Sequence, residues 1–246
     1  MGQLNLFEET EKIKPGGSSG IQAEIPPGIS DILFELSVEA YYSALYASMS
    51  ELPIKGEIER FVAKVIKAGK GARSGGERVA AERAAGDRGD LDVLAVLRAA
   101  GKVRHEIHRI TGFLRFVEGS DGVYTASCAP DHYILPALAE HFTMRFGETP
   151  WAIIDEKRRL CLCREGGGPS RLIPWSPDTP AFPGLRSASS GPQATASENN
   201  ENDSWEGLWQ LYHRSINNEA RKNLRLQRQL MPERYQKYLT EFNNIG

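Results

Sequence analysis

FLRFVEGSDGVYTASCAPDHYILPALAEHFTMRFGETPWAIIDEKRRLCLC, residues 113–163, is where the spacing of apolar residues changes character. Before it, apolar residues recur at helical spacing. Inside it, Phe113 to Val117 alternates faces, the period of a half-buried strand. Gly119-Ser120-Asp121-Gly122 is turn chemistry, and Val123 to Cys128 returns as the partner strand. Leu135, Leu138, Phe142 and Phe146 then share one face of a helix that tolerates Pro136 in its first turn and ends at Gly147. Trp151 to Asp155 and Arg159 to Cys163 read as two further strands around a tight Glu156-Lys157-Arg158 turn. A small antiparallel sheet with an inserted helix makes the fold class α+β.

Upstream, residues 1–27 carry Gly16-Gly17-Ser18-Ser19-Gly20 and Pro26-Pro27, and read as a flexible N-terminal extension. The α+β body is expected over 28–164, opening with N-terminal helices. The first runs from Ile29 to about Met49, the second from Ile54 to about Gly69, and a short alanine-rich helix spans Glu77 to Ala85. Asp90 is a good N-cap for a fourth, which continues to about Ile110. Gly71 to Gly76 is a basic loop that lacks the spacing of a phosphate-binding loop. Residues 165–203 are rich in Gly, Pro, Ser and Asn, and read as a disordered or loosely ordered linker loop. Leu172, Ile173, Trp175 and Phe182 within it are the residues able to pin parts of it to the body.

The last segment, 205–246, is expected to be helical, to break at Met231-Pro232, and to belong to the same domain. Drawn at 100° per residue, Trp205, Leu208, Trp209, Tyr212, Ile216, Leu226 and Leu230 form a seam for docking back on the body. Arg214, Arg221, Arg225 and Arg228 lie opposite, with Lys222 beside them. Tyr235, Tyr238, Leu239 and Phe242 give a second, shorter apolar face. The net charge of −2 hides this asymmetry: 205–246 holds seven basic and four acidic residues, the rest of the chain 23 and 28. A basic module on a mildly acidic body points to a local anion contact.

The three cysteines, Cys128, Cys161 and Cys163, are an odd number with no CxxC pair, and no leader or membrane-length apolar run is visible. The expectation is a reduced cytoplasmic protein with no membrane contact. Two thiolates on one strand face suit zinc if Cys128 or a histidine joins them. Buried cysteine is far commoner, so no metal and no cofactor is expected.

Two blocks carry a family resemblance. HRITGFLRFVEGSDGVYTASCAPDHYILPALAEHFTMRFGETPWAIIDEKRRLCLC (108–163) and YHRSINNEARKNLRLQRQLMPERYQKYLTE (212–241) resemble an uncharacterised bacterial family of probable DNA-metabolism proteins. The resemblance covers roughly 50–165 and 205–242. Leu224 stands where that family commonly has proline, and Gln236 where it commonly has an aromatic residue. The resemblance implies a predicted radical-SAM protein of DNA modification or repair as partner. It also implies a relation to proteins fused to a uracil-DNA-glycosylase-like domain. It implies no catalytic residue.

Three functions follow as expectations. The first is an accessory protein of DNA repair or DNA modification that binds DNA, the radical-SAM partner, or both. Its nucleic-acid contacts are Arg214, Arg221, Lys222, Arg225 and Arg228, because arginine forks match phosphate oxygens and stay charged. Tyr212, Tyr235 or Tyr238 would add stacking on bases. The alternative reading of this stripe is a solvated or internally paired surface. The second function is an enzyme acting on a nucleobase or nucleotide through His108, Arg115, His141 and Arg145, with Asp155 nearby. Scattered histidines that merely satisfy local hydrogen bonds are the plainer account of that set. The third is a protein-only adaptor whose arginines face an acidic patch.

Overall fold

The computed structural model describes residues 27–119, 122–176, 225–226, 231, 233–236 and 238–239. The chain divides into two compact units, the first ending at His105 and the second starting at Glu106, inside the stretch read as one body.

In the first unit, α1 (Pro27–Leu36) and α2 (Val38–Ser48) replace the single helix expected over Ile29–Met49. Ser37 separates them. Its backbone is extended and its Oγ accepts from the Ala40 N–H at 3.2 Å, so the serine caps a new helix instead of continuing the old one. The buried face of α2 is Ala40, Ser43, Ala44 and Ala47, small side chains that let neighbouring helices approach closely. Helix α3 (Lys55–Lys70) buries Phe61, Val62, Val65 and Gly69. A Cβ on Gly69 would fall 2.7 Å from a Leu36 methyl, so a side chain there would have to displace the Leu36 side chain that packs on α3. With α4 (Glu77–Ala85) and the first part of α5 (Leu91–Phe113), these helices enclose Leu33, Phe61, Val65, Val93 and Val96.

The start of α5 is fixed by charge. Asp90 accepts from the N–H groups of Asp92 and Val93, the N-cap expected of it. Lys64 of α3 donates to both Asp90 (2.6 Å) and Asp92 (2.7 Å), and Arg60 donates to Asp92. Hydrogen bonds from Arg60 and Lys64 hold the Asp92 carboxyl down at about 2.

In the second unit, five strands stand in the order β1 (Val117–Glu118), β2 (Tyr124–Cys128), β3 (Trp151–Asp155), β4 (Leu160–Arg164), β5 (Arg171–Pro174). The α+β class holds, but the sheet is mixed. β2 and β3 are parallel, pairing Tyr124 with Trp151 and Cys128 with Asp155, whereas every other pairing is antiparallel. The cause is α6 (Leu135–Phe146): a helix between two neighbouring strands returns the chain to the starting edge, where only a parallel strand can follow.

Two boundaries also moved. The strand expected over Phe113–Val117 shrinks to Val117–Glu118, because α5 runs through Phe113 and the Leu114 N–H still bonds to Ile110. Phe116 instead packs on Phe142 and Phe146 of α6. The expected linker at 165–203 opens with strand β5, whose Ile173, with Trp175 after it, covers Cys161 and Cys163; Phe182 lies outside the described residues. Both cysteines are free and buried beside Ala152 and Ile154, and Cys128 is likewise free and buried. Among the described residues no helix is long and apolar enough to cross a membrane.

The Arg60–Lys64–Asp92 cluster generates a pH prediction. The folded Asp92 pKa lies below its ordinary value near 4, so the cluster's stabilisation is full above about pH 4 and is lost as pH falls through about 2. The gap in urea midpoint between the native chain and Asp92→Asn is expected to close over that window. A gap that stays constant from pH 5 to 2 would refute the pairing.

Candidate functional site

The carboxyl ends of the parallel strands β2 and β3 lie side by side, the usual position of ligand sites in sheets with parallel strands. Two buried carboxylates organise this end. Helix α5 supplies Glu106, which occupies the series Val96, Ala99, Val103, Glu106, Ile110. The alternating spacing of three and four residues sets all five on the helix's buried stripe. Glu106 thus enters the interior by helix geometry. It accepts from the backbone N–H of Asp131 at 2.7 Å, from that of His132 at 2.8 Å, and from the Tyr235 hydroxyl at 2.7 Å.

Strand β3 supplies Asp155, which ends a fully buried strand and starts the Glu156-Lys157-Arg158 turn. Asp155 accepts from the N–H groups of Lys157 and Arg158 and from the Arg158 guanidinium at 2.9 Å. The pair is nearly water-free, with Asp155 0% and Arg158 13% exposed. Arg158 also donates to the carbonyls of Pro130 and Asp131, and Lys157 donates to the Asp131 carbonyl. The loop after β2 is therefore held from both sides: Glu106 takes its N–H groups, and the turn after β3 takes its carbonyls.

The C-terminal segment joins the same hub. In the short helix α7 (Glu233–Gln236), Tyr235 is buried against Phe113, and the Arg109 guanidinium lies 5.9 Å from its ring centre. The Tyr238 hydroxyl donates to Glu156 at 2.7 Å, and Leu239 is buried. The second apolar face read from the sequence thus docks, as far as its described residues show. Tyr235 is closed to base stacking, a correction to its expected role, and Tyr238 commits its hydroxyl to Glu156. Leu226, expected in the docking seam, is 47% exposed.

The electrostatics weigh against covalent chemistry here. Burial, reinforced by the charges of Asp155, Glu156 and Glu106, pushes the Cys128 thiol well up. Burial and the bond to Glu156 push the Tyr238 phenol up as well. Neither group offers an anionic nucleophile near neutrality. Among the described residues no group of three His, Cys, Asp or Glu side chains is arranged to hold a metal ion.

Of the set expected to carry catalysis, Asp155 belongs to the hub. His108 is exposed on α5, two positions past Glu106 and so about 200° around the helix from it. The Arg115 guanidinium donates to the Gly112 carbonyl at 2.9 Å. His141 meets the edge of Phe142, and Arg145 is exposed in the last turn of α6. Of the expected nucleic-acid set, Arg225 is exposed in a helical turn. Arg214, Arg221, Lys222 and Arg228 lie outside the described residues, as do Trp205, Trp209, Tyr212 and Ile216. Glu106 was not among the expected site residues. Its signal was a lone acid on an otherwise apolar 3–4 stripe.

A family model described as a domain of unknown function, DUF4130, matches residues 75–241. No curated protein and no solved structure matches the chain.

The hub sets an order of substitution costs. Arg158→Ala leaves Asp155 buried without its cation and is expected to cost about 3–5 kcal/mol. Tyr235→Phe removes one charge-assisted bond, about 1.5–3 kcal/mol. Lys157→Ala, at an exposed side chain, should cost below about 1 kcal/mol. Urea unfolding measures all three. A Lys157 effect equal to that of Arg158 would show that the hub is not what holds the loop.

Proposed function

We propose that this chain, which belongs to the DUF4130 family, is an accessory protein of DNA repair or DNA modification that binds nucleic acid through its basic C-terminal segment. The observation that carries the reading is the anchoring of that segment. Tyr235 and Tyr238 are tied to Glu106 and Glu156, while Arg225, ten residues earlier, stands exposed. An anchored segment with an exposed arginine offers phosphate oxygens a forked, permanently charged donor. In the sequence Arg221, Lys222 and Arg228 flank Arg225, and Arg214 stands nearer the start of the segment. Two further features favour binding over turnover at the hub: its carboxylates are engaged by the fold's own donors, and its thiol and phenol are held protonated.

The resemblance adds the finer part of the proposal, a radical-SAM enzyme as the partner that performs the chemistry while this chain holds the substrate. The test reverses charge at Arg221 and Arg225 together, to Glu. Oligonucleotide affinity, followed by fluorescence anisotropy at 50 and 200 mM salt, is expected to fall at least tenfold at the lower salt. The native chain should itself lose affinity steeply between the two salts. Unchanged affinity in a folded double variant would remove the arginines from the interface. Co-purification with the enzyme and no affinity for DNA would replace the reading with that of a protein-only adaptor.

A further inference from the structure

Helix α5 carries a second basic surface on residues that are fully described. From Val93 to Phe113 its one carboxylate is Glu106, which is buried, so every charged group the helix shows to water after Asp92 is basic or an imidazole. Arg98, Lys102 and His105 are all exposed, and helix geometry sets them within about 60° of one another. None of the three side chains has a hydrogen bond or ion pair among the described residues. Arg60, Lys64 and Arg104, by contrast, each reach a carboxylate. Cations one turn apart repel each other, so this row opposes the helix that bears it.

Gly101 is the second and independent observation. It lies three residues after Arg98 and four before His105, and so sits between them on the helix surface, beside Lys102. Glycine inside a helix is unfavourable, and packing usually explains it, as at Gly69. At Gly101 an added Cβ would meet nothing within 4 Å. Nothing among the described residues requires the missing side chain. The space over the Gly101 backbone is open.

We infer that Arg98, Lys102 and His105 around Gly101 form a notch for a backbone phosphate of nucleic acid, a second contact for the polymer bound in the proposed function. The guanidinium and ammonium supply charge, the imidazole supplies a directed donor, and the bare glycine lets the phosphate oxygens settle on the helix surface. The notch rests on the nucleic-acid reading but uses none of the C-terminal arginines, so the two separate in one experiment.

The full-length chain, the R98E/K102E variant, the R221E/R225E variant and Gly101→Leu are titrated with a duplex and a single-stranded oligonucleotide across a salt series. R98E/K102E is expected to weaken duplex binding at least tenfold at 50 mM salt and to lower the salt slope by about two contacts, about 0.9 each. Gly101→Leu is expected to raise the melting temperature and to weaken binding at least fivefold with every charge retained. If R221E/R225E loses affinity while both α5 variants bind as the native chain does, the notch is overturned and the C-terminal reading stands. If the native chain binds neither oligonucleotide at 50 mM salt, both fall. Displacement of the oligonucleotide by millimolar inorganic phosphate at constant ionic strength would point to a free phosphate ligand and overturn the polymer assignment.

Discussion

The second unit depends on one buried carboxylate and the donors that solvate it. Taking Glu106 out of water costs several kcal/mol, and the carboxylate stays there because two backbone N–H groups and a phenol replace its hydration. The donors come from parts of the chain far apart in sequence: the loop after β2 at 131–132 and the C-terminal segment at Tyr235. A charge that must be solvated by the fold imposes geometry on everything that solvates it. The loop has to present its amides, and the C-terminal segment has to bring its tyrosine in.

The parallel pair explains why the polar groups collect at this end. Because α6 returns the chain to run β3 alongside β2, the segments following both strands emerge together, at residues 129–132 and 156–158. In an antiparallel pair one of them would have emerged at the opposite edge. Asp155 and Arg158 then act across the gap. The carboxylate caps its own turn and holds the guanidinium, and the guanidinium holds the carbonyls of the neighbouring loop. Glu106 and Arg158 divide the loop's backbone between them, donors to one and acceptors to the other.

Much of this was legible in the sequence, where single-residue chemistry decides local structure. Asp90 as N-cap, Pro136 in the first turn of α6 and the β3–β4 turn stand where residue types put them. The break at Ser37 was not legible, because a serine among helix-forming neighbours either continues or caps, and packing of the small α2 face decides which. The parallel pairing was hidden because each strand reads the same in either direction. Glu106 was hidden because a glutamate in a helix is ordinarily solvent-facing. Only the phase of the 3–4 stripe places it inside, and that phase counts only once the buried side of α5 is known. The same phase bears on His108: two positions past Glu106, it is turned out to the surface of α5.

That phase also separates the two kinds of polar chemistry on α5. One helix carries a carboxylate that organises a loop and a terminal segment, and basic side chains that are exposed and unpaired among the described residues. A fold that spends donors so fully on Glu106 and Asp155, and pairs Arg60, Lys64 and Arg104 with carboxylates, has the means to neutralise cations where they serve structure. Arg98, Lys102 and His105 stand outside that economy, next to a glycine the described packing does not require. Charge left unpaired among the described residues and a glycine in mid-helix both oppose the stability of the isolated helix. Features that oppose stability at one place on a surface are best accounted for by something that binds there.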